Sequence, residues 1–234
     1  MTKNLFENLK IKELETLVSL ASNPKKFILR RRDFYKHLKF GDIICSLNFL
    51  NRKGLFAKSI MRMTKSRISH AVIYVGHGKK LENTSHKGFV NYQNLDDMKG
   101  QVLIVLRTNL SSAQKKKLHS VVDRMLKERP KYNVRGIAGH AVYKITGFFP
   151  SWLNEKDAFF CSEFVYECYL QAGCKLGEHE NSTFVSPTDI LESPKLHIVC
   201  LLDGINGIKF SRKTRDSDNQ IQEDAKKIIL RKVK

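Results

Sequence analysis

The sequence predicts an α+β fold in which an antiparallel sheet or small barrel packs against helices. Three features point that way. Short runs rich in β-branched and aromatic residues follow one another between residues 42 and 107. Helical periodicity takes over across 111–128 and again from Cys161 to about Ala172. One more strand-like run, LHIVCLL at 196–202, comes last. With 234 residues, 41% of them hydrophobic, the chain suits one core with extensions.

Taken in order, Leu5, Leu9, Leu14, Leu17 and Val18 recur at near-helical spacing, so 3–22 reads as an amphipathic helix ending near Asn23-Pro24. Residues 25–39 are heavily basic, with Phe27, Leu29, Phe34 and Tyr35 interleaved. Such a run is either a contact for nucleic acid or anionic membrane, or a helix that packs its apolar side and leaves its cations solvated. The second is the commoner outcome for a charge run. DIICSL (42–47) and ISHAVIYV (68–75) then read as strands flanking a helical 55–64. A turn at Gly76-His77-Gly78 leads into KLENT (80–84), and KGFVNY (87–92) and QVLIVLR (101–107) continue the meander. Helical patterns occupy 111–128, more weakly 134–146, and 161–172, where Gly173 is a natural stop. The end, 209–234, is polar and basic with a short helical pattern. The expected organisation is a basic helical extension over 1–39, a main domain over 40–203 and a basic tail over 204–234.

The net charge is +19, from 42 Lys and Arg against 23 Asp and Glu. It predicts attraction to something anionic: phospholipid, a cell-wall polymer, nucleic acid or an acidic protein. The five cysteines include no CxxC pair, which argues against a zinc knuckle or a secreted disulfide framework, and no ligand cluster suggests a metal or cofactor. The N-terminus is interrupted by charge every few residues, unlike a signal peptide, and no segment is long and apolar enough to span a bilayer. The expected location is cytoplasmic, with peripheral membrane contact as a variant.

Cys161 is the candidate nucleophile. In FFCSEFVYECYLQAG it falls where an apolar segment becomes a helix, with Phe164, Val165, Cys168, Tyr169 and Ala172 sharing one face. A thiol in the first turn of a helix meets unpaired backbone N–H groups and the positive end of the dipole, which favour a thiolate. The same N–H groups can hold the oxyanion of a tetrahedral intermediate. Cys168 lies mid-helix and Cys174 beyond the stop, so neither has this setting. Against it stands the ordinary fate of a free cysteine, buried and inert.

Eight histidines are present, and His70 stands out because it opens an otherwise apolar strand, where a base is held by the sheet and open to substrate. A strand-end histidine bonded to backbone is the plain alternative. His77, His86, His119 and His179 sit in polar surroundings, and His140 is the rival base. Glu82 is the candidate to orient the imidazole. A three-residue loop over 76–78 puts it opposite Val72 and on the His70 face, at roughly 7–8 Å between backbones, within reach of a long side chain. A four-residue loop turns it away and leaves Asn83 as the fallback.

The ordered set GDIICS (41–46), TKSRISHAVIYVG (64–76), LEN (81–83), KGFVNYQNLDDM (87–98), VLIVLR (102–107), FFCSEFVYECYLQAG (159–173) and SPTDILESP (186–194) resembles the circularly permuted papain-like enzymes of the NlpC superfamily. The likeness is to the YiiX/YaeF-like group, related to lecithin:retinol acyltransferase. It covers about residues 40–203. In that group the histidine precedes the cysteine, as here. The resemblance implies a permuted papain-like fold, with the nucleophile on Cys161, the base on His70 and the third polar residue on Glu82; the Asp of Gly41-Asp42 looks structural. Three departures stand out: Ala71-Val72 replaces the usual Val-Gly, the two extensions have no counterpart, and an export signal is lacking.

The resulting expectation is a cysteine-dependent hydrolase, an amidase or peptidase, or a thioesterase or acyltransferase, working through an acyl-enzyme. The resemblance allows peptide amides and lipid acyl groups alike, and the basic surface suits an anionic membrane or cell-wall polymer more than nucleic acid. The alternative is a catalytically silent papain-like module that binds membrane, nucleic acid or a protein partner.

Overall fold

The computed structural model describes residues 28–29, 31–47, 68–98, 101–136, 139, 142, 146, 158–179, 182–183 and 185–203. The helices expected over 3–22 and 55–64, the tail at 209–234 and the rival base His140 lie outside them.

Seven strands make one sheet: β1 (Ile28–Leu29), β2 (Ile43–Leu47), β3 (Ile68–Gly76), β4 (Lys79–Asn83), β5 (Val90–Asn94), β6 (Val102–Arg107) and β9 (His197–Asp203). Their order across the sheet is β1-β9-β6-β2-β3-β4-β5, antiparallel except where β1 runs parallel to β9. A second ribbon pairs β7 (Lys131–Tyr132) with β8 (Ala158–Phe159) in parallel. The sheet form of the expectation is the one found, and β1 and β5 are its edges among the described strands. Between them β2 to β5 form a consecutive meander as expected, but β6, expected to continue it, crosses back to pair with β2 and β9 instead of β5.

Period-two alternation gives each central strand two apolar faces. Ile43, Cys45, Ala71, Ile73, Leu81, Ile104 and Leu106 join one cluster with the helices α2 (Ser112–Glu128), α3 (Cys161–Gln171) and α4 (Pro187–Glu192). Ile44, Val72, Tyr74, Leu103, Val105 and Leu202 join another with Phe34 and Leu38, at and just beyond helix α1 (Arg31–His37), and with Leu95 and Met98 of a 3-10 helix, Leu95–Met98. The run at 31–37 is therefore a helix packed by Phe34, while Lys36 and His37 stay exposed.

Helix α2 opens on a capping box: Ser111 Oγ accepts from Gln114 N–H at 3.2 Å and Gln114 Oε1 from Ser111 N–H at 2.9 Å. Helix α4 repeats it with Ser186 and Asp189, and Pro187 sits in its first turn. Helix α3 is rich in aromatic and β-branched residues, which are mediocre helix formers. Packing holds it instead: Phe164, Val165, Cys168 and Tyr169 are fully enclosed, and a large apolar side chain contributes about 1.5–3 kcal/mol when buried.

Asp42 confirms a structural use of the Gly41-Asp42 pair. Its carboxylate accepts from Arg107 Nε at 2.6 Å and Nη2 at 2.7 Å, and from Lys39 N–H at 2.7 Å, tying the entry to β2 against the end of β6. Gly41 has φ +82, and its carbonyl accepts from the Tyr169 hydroxyl, so helix α3 is also fastened at this corner.

Candidate active site

The β3–β4 hairpin decides where the polar residues meet. Its turn is shorter than expected: Gly76 pairs with Lys79, leaving only His77 and Gly78 in the loop, both at positive φ as a type I′ turn requires. A bulge at Val75 then absorbs one residue, and the ladder continues as Tyr74 with Lys80 and Ile73 with Leu81. Extended one step, that register sets Glu82 opposite Val72. The outcome equals that of a three-residue loop, by a different route.

At the other end of β3 a second irregularity adjusts His70. Ser46 pairs with His70 but Leu47 pairs with Ile68, so Ser69 is an extra residue directly before the histidine. His70 Nε2 lies 2.7 Å from Glu82 Oε2. The imidazole also forms a side-chain hydrogen bond with Cys161. With Nε2 on the carboxylate, Nδ1 is the nitrogen left for the thiol. The three candidates Cys161, His70 and Glu82, spread over 92 positions from 70 to 161, thus form one connected chain of polar contacts.

Cys161 is the first residue of α3. In-helix bonding begins with Phe164 N–H on Phe160 O at 2.9 Å, so the N–H groups of the first turn precede the ladder. Glu163 supplies half of a cap, its Oε2 accepting from Phe160 N–H at 3.2 Å. Ser162 Oγ donates to Val185 O at 2.7 Å and fixes the turn from the other side.

Electrostatics follow the contacts. Burial alone lowers the proton affinity of His70, but negative charge at Cys161, the hydrogen bond to that thiol and the Glu82 carboxylate outweigh it and hold the imidazole up at about 9. Burial alone raises that of Glu82, but His70 and Lys80 hold its carboxyl down at about 2. The remaining thiols feel a different setting: burial pushes Cys200 up to about 12, and Cys168 and Cys174 also rise.

Two residues of this neighbourhood went unread in the sequence. Lys80 is enclosed, its side chain 3% exposed, and its Nζ pairs with Glu82 Oε1. Tyr132 packs with Phe160 against Cys161, and burial, then charge at Cys161 and Glu163, keep its phenol protonated. Asn83, the fallback third residue, has another job. Its Nδ2 donates to Phe159 O at 2.8 Å and Lys131 O at 3.1 Å, tying β4 to the two short strands that lead to Cys161 and Tyr132.

The Cys161 residue is 1% exposed and the His70 side chain 18%. The thiol is thus enclosed, while the imidazole beside it keeps partial access to solvent. His77, His86, His119 and His179 are all exposed, consistent with surface roles.

Among the described residues no cluster of three or more His, Cys, Asp or Glu side chains is disposed to hold a metal ion, and no helix is long and apolar enough to cross a membrane. No protein-family model matches the chain, and no curated protein matches it. Among solved structures it is similar to one described as the metalloprotein YiiX from Escherichia coli O157:H7, DUF1105, at 20% identity and a TM-score of 0.46, covering 70% of this chain and 97% of that one. That likeness is distant, and no residue role is taken from it.

Proposed function

We propose that this protein is a permuted papain-like cysteine enzyme that cleaves or transfers acyl groups through a thioester on Cys161. The observation that carries the reading is the contact chain itself: a thiol opening a helix, hydrogen-bonded to an imidazole whose other nitrogen is held 2.7 Å from a buried carboxylate. That is the nucleophile, base and orienting group of a cysteine triad.

His70, held up at about 9, is a stronger base than a free imidazole, and it takes the Cys161 thiol proton as the nucleophile forms. The thiolate attacks an amide or ester carbonyl, and the backbone N–H groups of the α3 first turn receive the oxyanion. Collapse of the intermediate breaks the bond to the leaving amine or alcohol, which takes the His70 proton. Neutral His70 then removes a proton from water, or from an acceptor hydroxyl or amine. The resulting nucleophile attacks the thioester and returns Cys161 as thiolate, while His70 regains its charge. Glu82 keeps the imidazole aligned throughout. A net charge of +19 favours an acyl donor carried on an anionic surface, a lipid headgroup or wall polymer.

Incubation with p-nitrophenyl acetate, followed by mass analysis of intact protein and peptides, tests this. An acetyl group on Cys161, absent in Cys161→Ser and formed far more slowly in His70→Ala, is the expected result. If iodoacetamide labels Cys161 no faster than the other four thiols and no acyl adduct forms there, the protein is a silent binding module.

A further inference from the structure

We propose that Lys80 is a positioning residue: it occupies one oxygen of Glu82, so that the carboxylate orients His70 through the other oxygen without locking the imidazolium to its proton. The link to catalysis rests on the function proposed above; the contact does not.

A buried ammonium is an expensive way to fill a strand position. Removing such a charge from water costs several kcal/mol, and an apolar residue there is often as stabilising or more so. Tyr74, which pairs with Lys80 across the hairpin, and Val72 on the same face are both buried, so this face of the sheet accepts apolar side chains. The ammonium must therefore act on what it touches, which is Glu82 Oε1. Glu82 Oε2 serves His70. Each carboxylate oxygen has one cationic partner, and this fixes the plane of the group.

The full set of charged groups explains the need. His70 faces Glu82 from β4 and Cys161 from α3. Glu82 faces His70 from β3 and Lys80 on its own strand. Cys161 faces His70 and, from β7, Tyr132, which stays neutral; Glu163 lies in its own helix turn, where it caps Phe160 N–H. Along the connected chain Lys80, Glu82, His70 and Cys161, once His70 has taken the thiol proton, the charges alternate and sum to zero. Without Lys80 one imidazolium would lie between two anions, with one negative charge in excess. It would then keep the proton that the leaving group needs.

Titration of His70 by NMR in the full-length protein, with labelled histidine and the signal assigned by its loss in His70→Ala, tests the idea. Lys80→Met removes the cation at similar length, and Lys80→Gln does so while leaving a polar group, should the first variant not fold. In either, the His70 midpoint rises by roughly half a unit or more, about a threefold gain in proton affinity. The alkaline limb of Cys161 alkylation by iodoacetamide moves with it, and Lys80→Arg stays close to the parent. A midpoint that is unchanged or falls in the uncharged variants overturns the proposal and leaves Lys80 a structural residue. A parent protein whose Cys161 forms no acyl adduct refutes the enzyme reading instead, and the His70 shift still reports on Lys80.

Discussion

Replacing Glu82 by Gln tests how much of the structure depends on this one carboxylate. The change keeps shape and removes charge, leaving Lys80 enclosed and facing only an amide oxygen, and His70 without its anion. Breaking a buried ion pair from one side costs about 3–5 kcal/mol. Linkage gives an independent figure. The Glu82 carboxyl is held at about 2 against an ordinary 4.5, and at 1.36 kcal/mol for each unit this is about 3 kcal/mol. The side chain is 5% exposed, so solvent screening takes little from it. Because the native value lies below the unfolded one, the stabilisation is complete above pH ~4.5 and is lost as pH falls through ~2. Urea unfolding followed by circular dichroism should therefore show the parent more stable than Glu82→Gln by about 3 kcal/mol at pH 7, and by only about 1 kcal/mol at pH 3. A gap under about 1 kcal/mol at pH 7, or one that does not narrow in acid, would refute the reasoning.

Further outcomes are expected. The raised His70 contributes stability that is complete below pH ~6.5 and lost as pH climbs through ~9, so the parent should lose up to about 3 kcal/mol across that window relative to His70→Ala, by the same unfolding assay. Asn83→Ala leaves the carbonyls of Lys131 and Phe159 without their shared donor; a cost of about 2–4 kcal/mol in thermal unfolding is expected, with slower alkylation of Cys161. Gly136→Ala puts a methyl 2.3 Å from Asn133 Nδ2, where Asn133 Oδ1 accepts from Gly136 N–H, and should lower the melting temperature by several degrees. Arg107→Lys exchanges a fork for a point charge at Asp42 and should cost about 1–3 kcal/mol by denaturant titration.

What the sequence disclosed follows from how local each signal is. Alternation within 43–45, 71–74 and 103–106 reports both faces of the sheet, because each residue's neighbours two positions away share its environment. The 112–128 helix carries its start signal in Ser111 and Gln114. The strand β1 was not legible: two residues gain their partner in β9, more than 170 positions away. Helix α4 had its signal in Ser186, Pro187 and Asp189, but six residues are too few for periodicity. Lys80 shows the limit at the site. Lys79 and Lys80 are adjacent cations among 42; alternation puts Lys80 on the face of Glu82, but nothing local says that its end of that face is enclosed. The His70–Glu82 meeting was legible only conditionally: register arithmetic gave it for a three-residue loop, and the structure reaches the same pairing through a two-residue turn and a bulge at Val75 that the sequence did not announce. The Cys161 contact needed the motif pair as a whole.

The site joins parts of the chain that have no local reason to meet. The β3–β4 hairpin brings Lys80, Glu82 and His70 together within 13 positions, so this half forms whenever the hairpin does. Cys161 arrives separately on α3. Its placement depends on Asn83 reaching Phe159 O, on Ser162 reaching Val185 O and on the apolar face of the helix against β3. The charges on the hairpin alone do not balance, since Lys80, Glu82 and His70 carry one excess positive charge when the imidazole is protonated. A thiolate at Cys161, which the proposed mechanism requires, would cancel it. Attraction between that imidazolium and such a thiolate would hold the helix start against the hairpin, so under the proposed mechanism one contact would serve both chemistry and packing. Any substitution that loosens α3 should then lower the proton affinity of His70 even though it touches no titrating group.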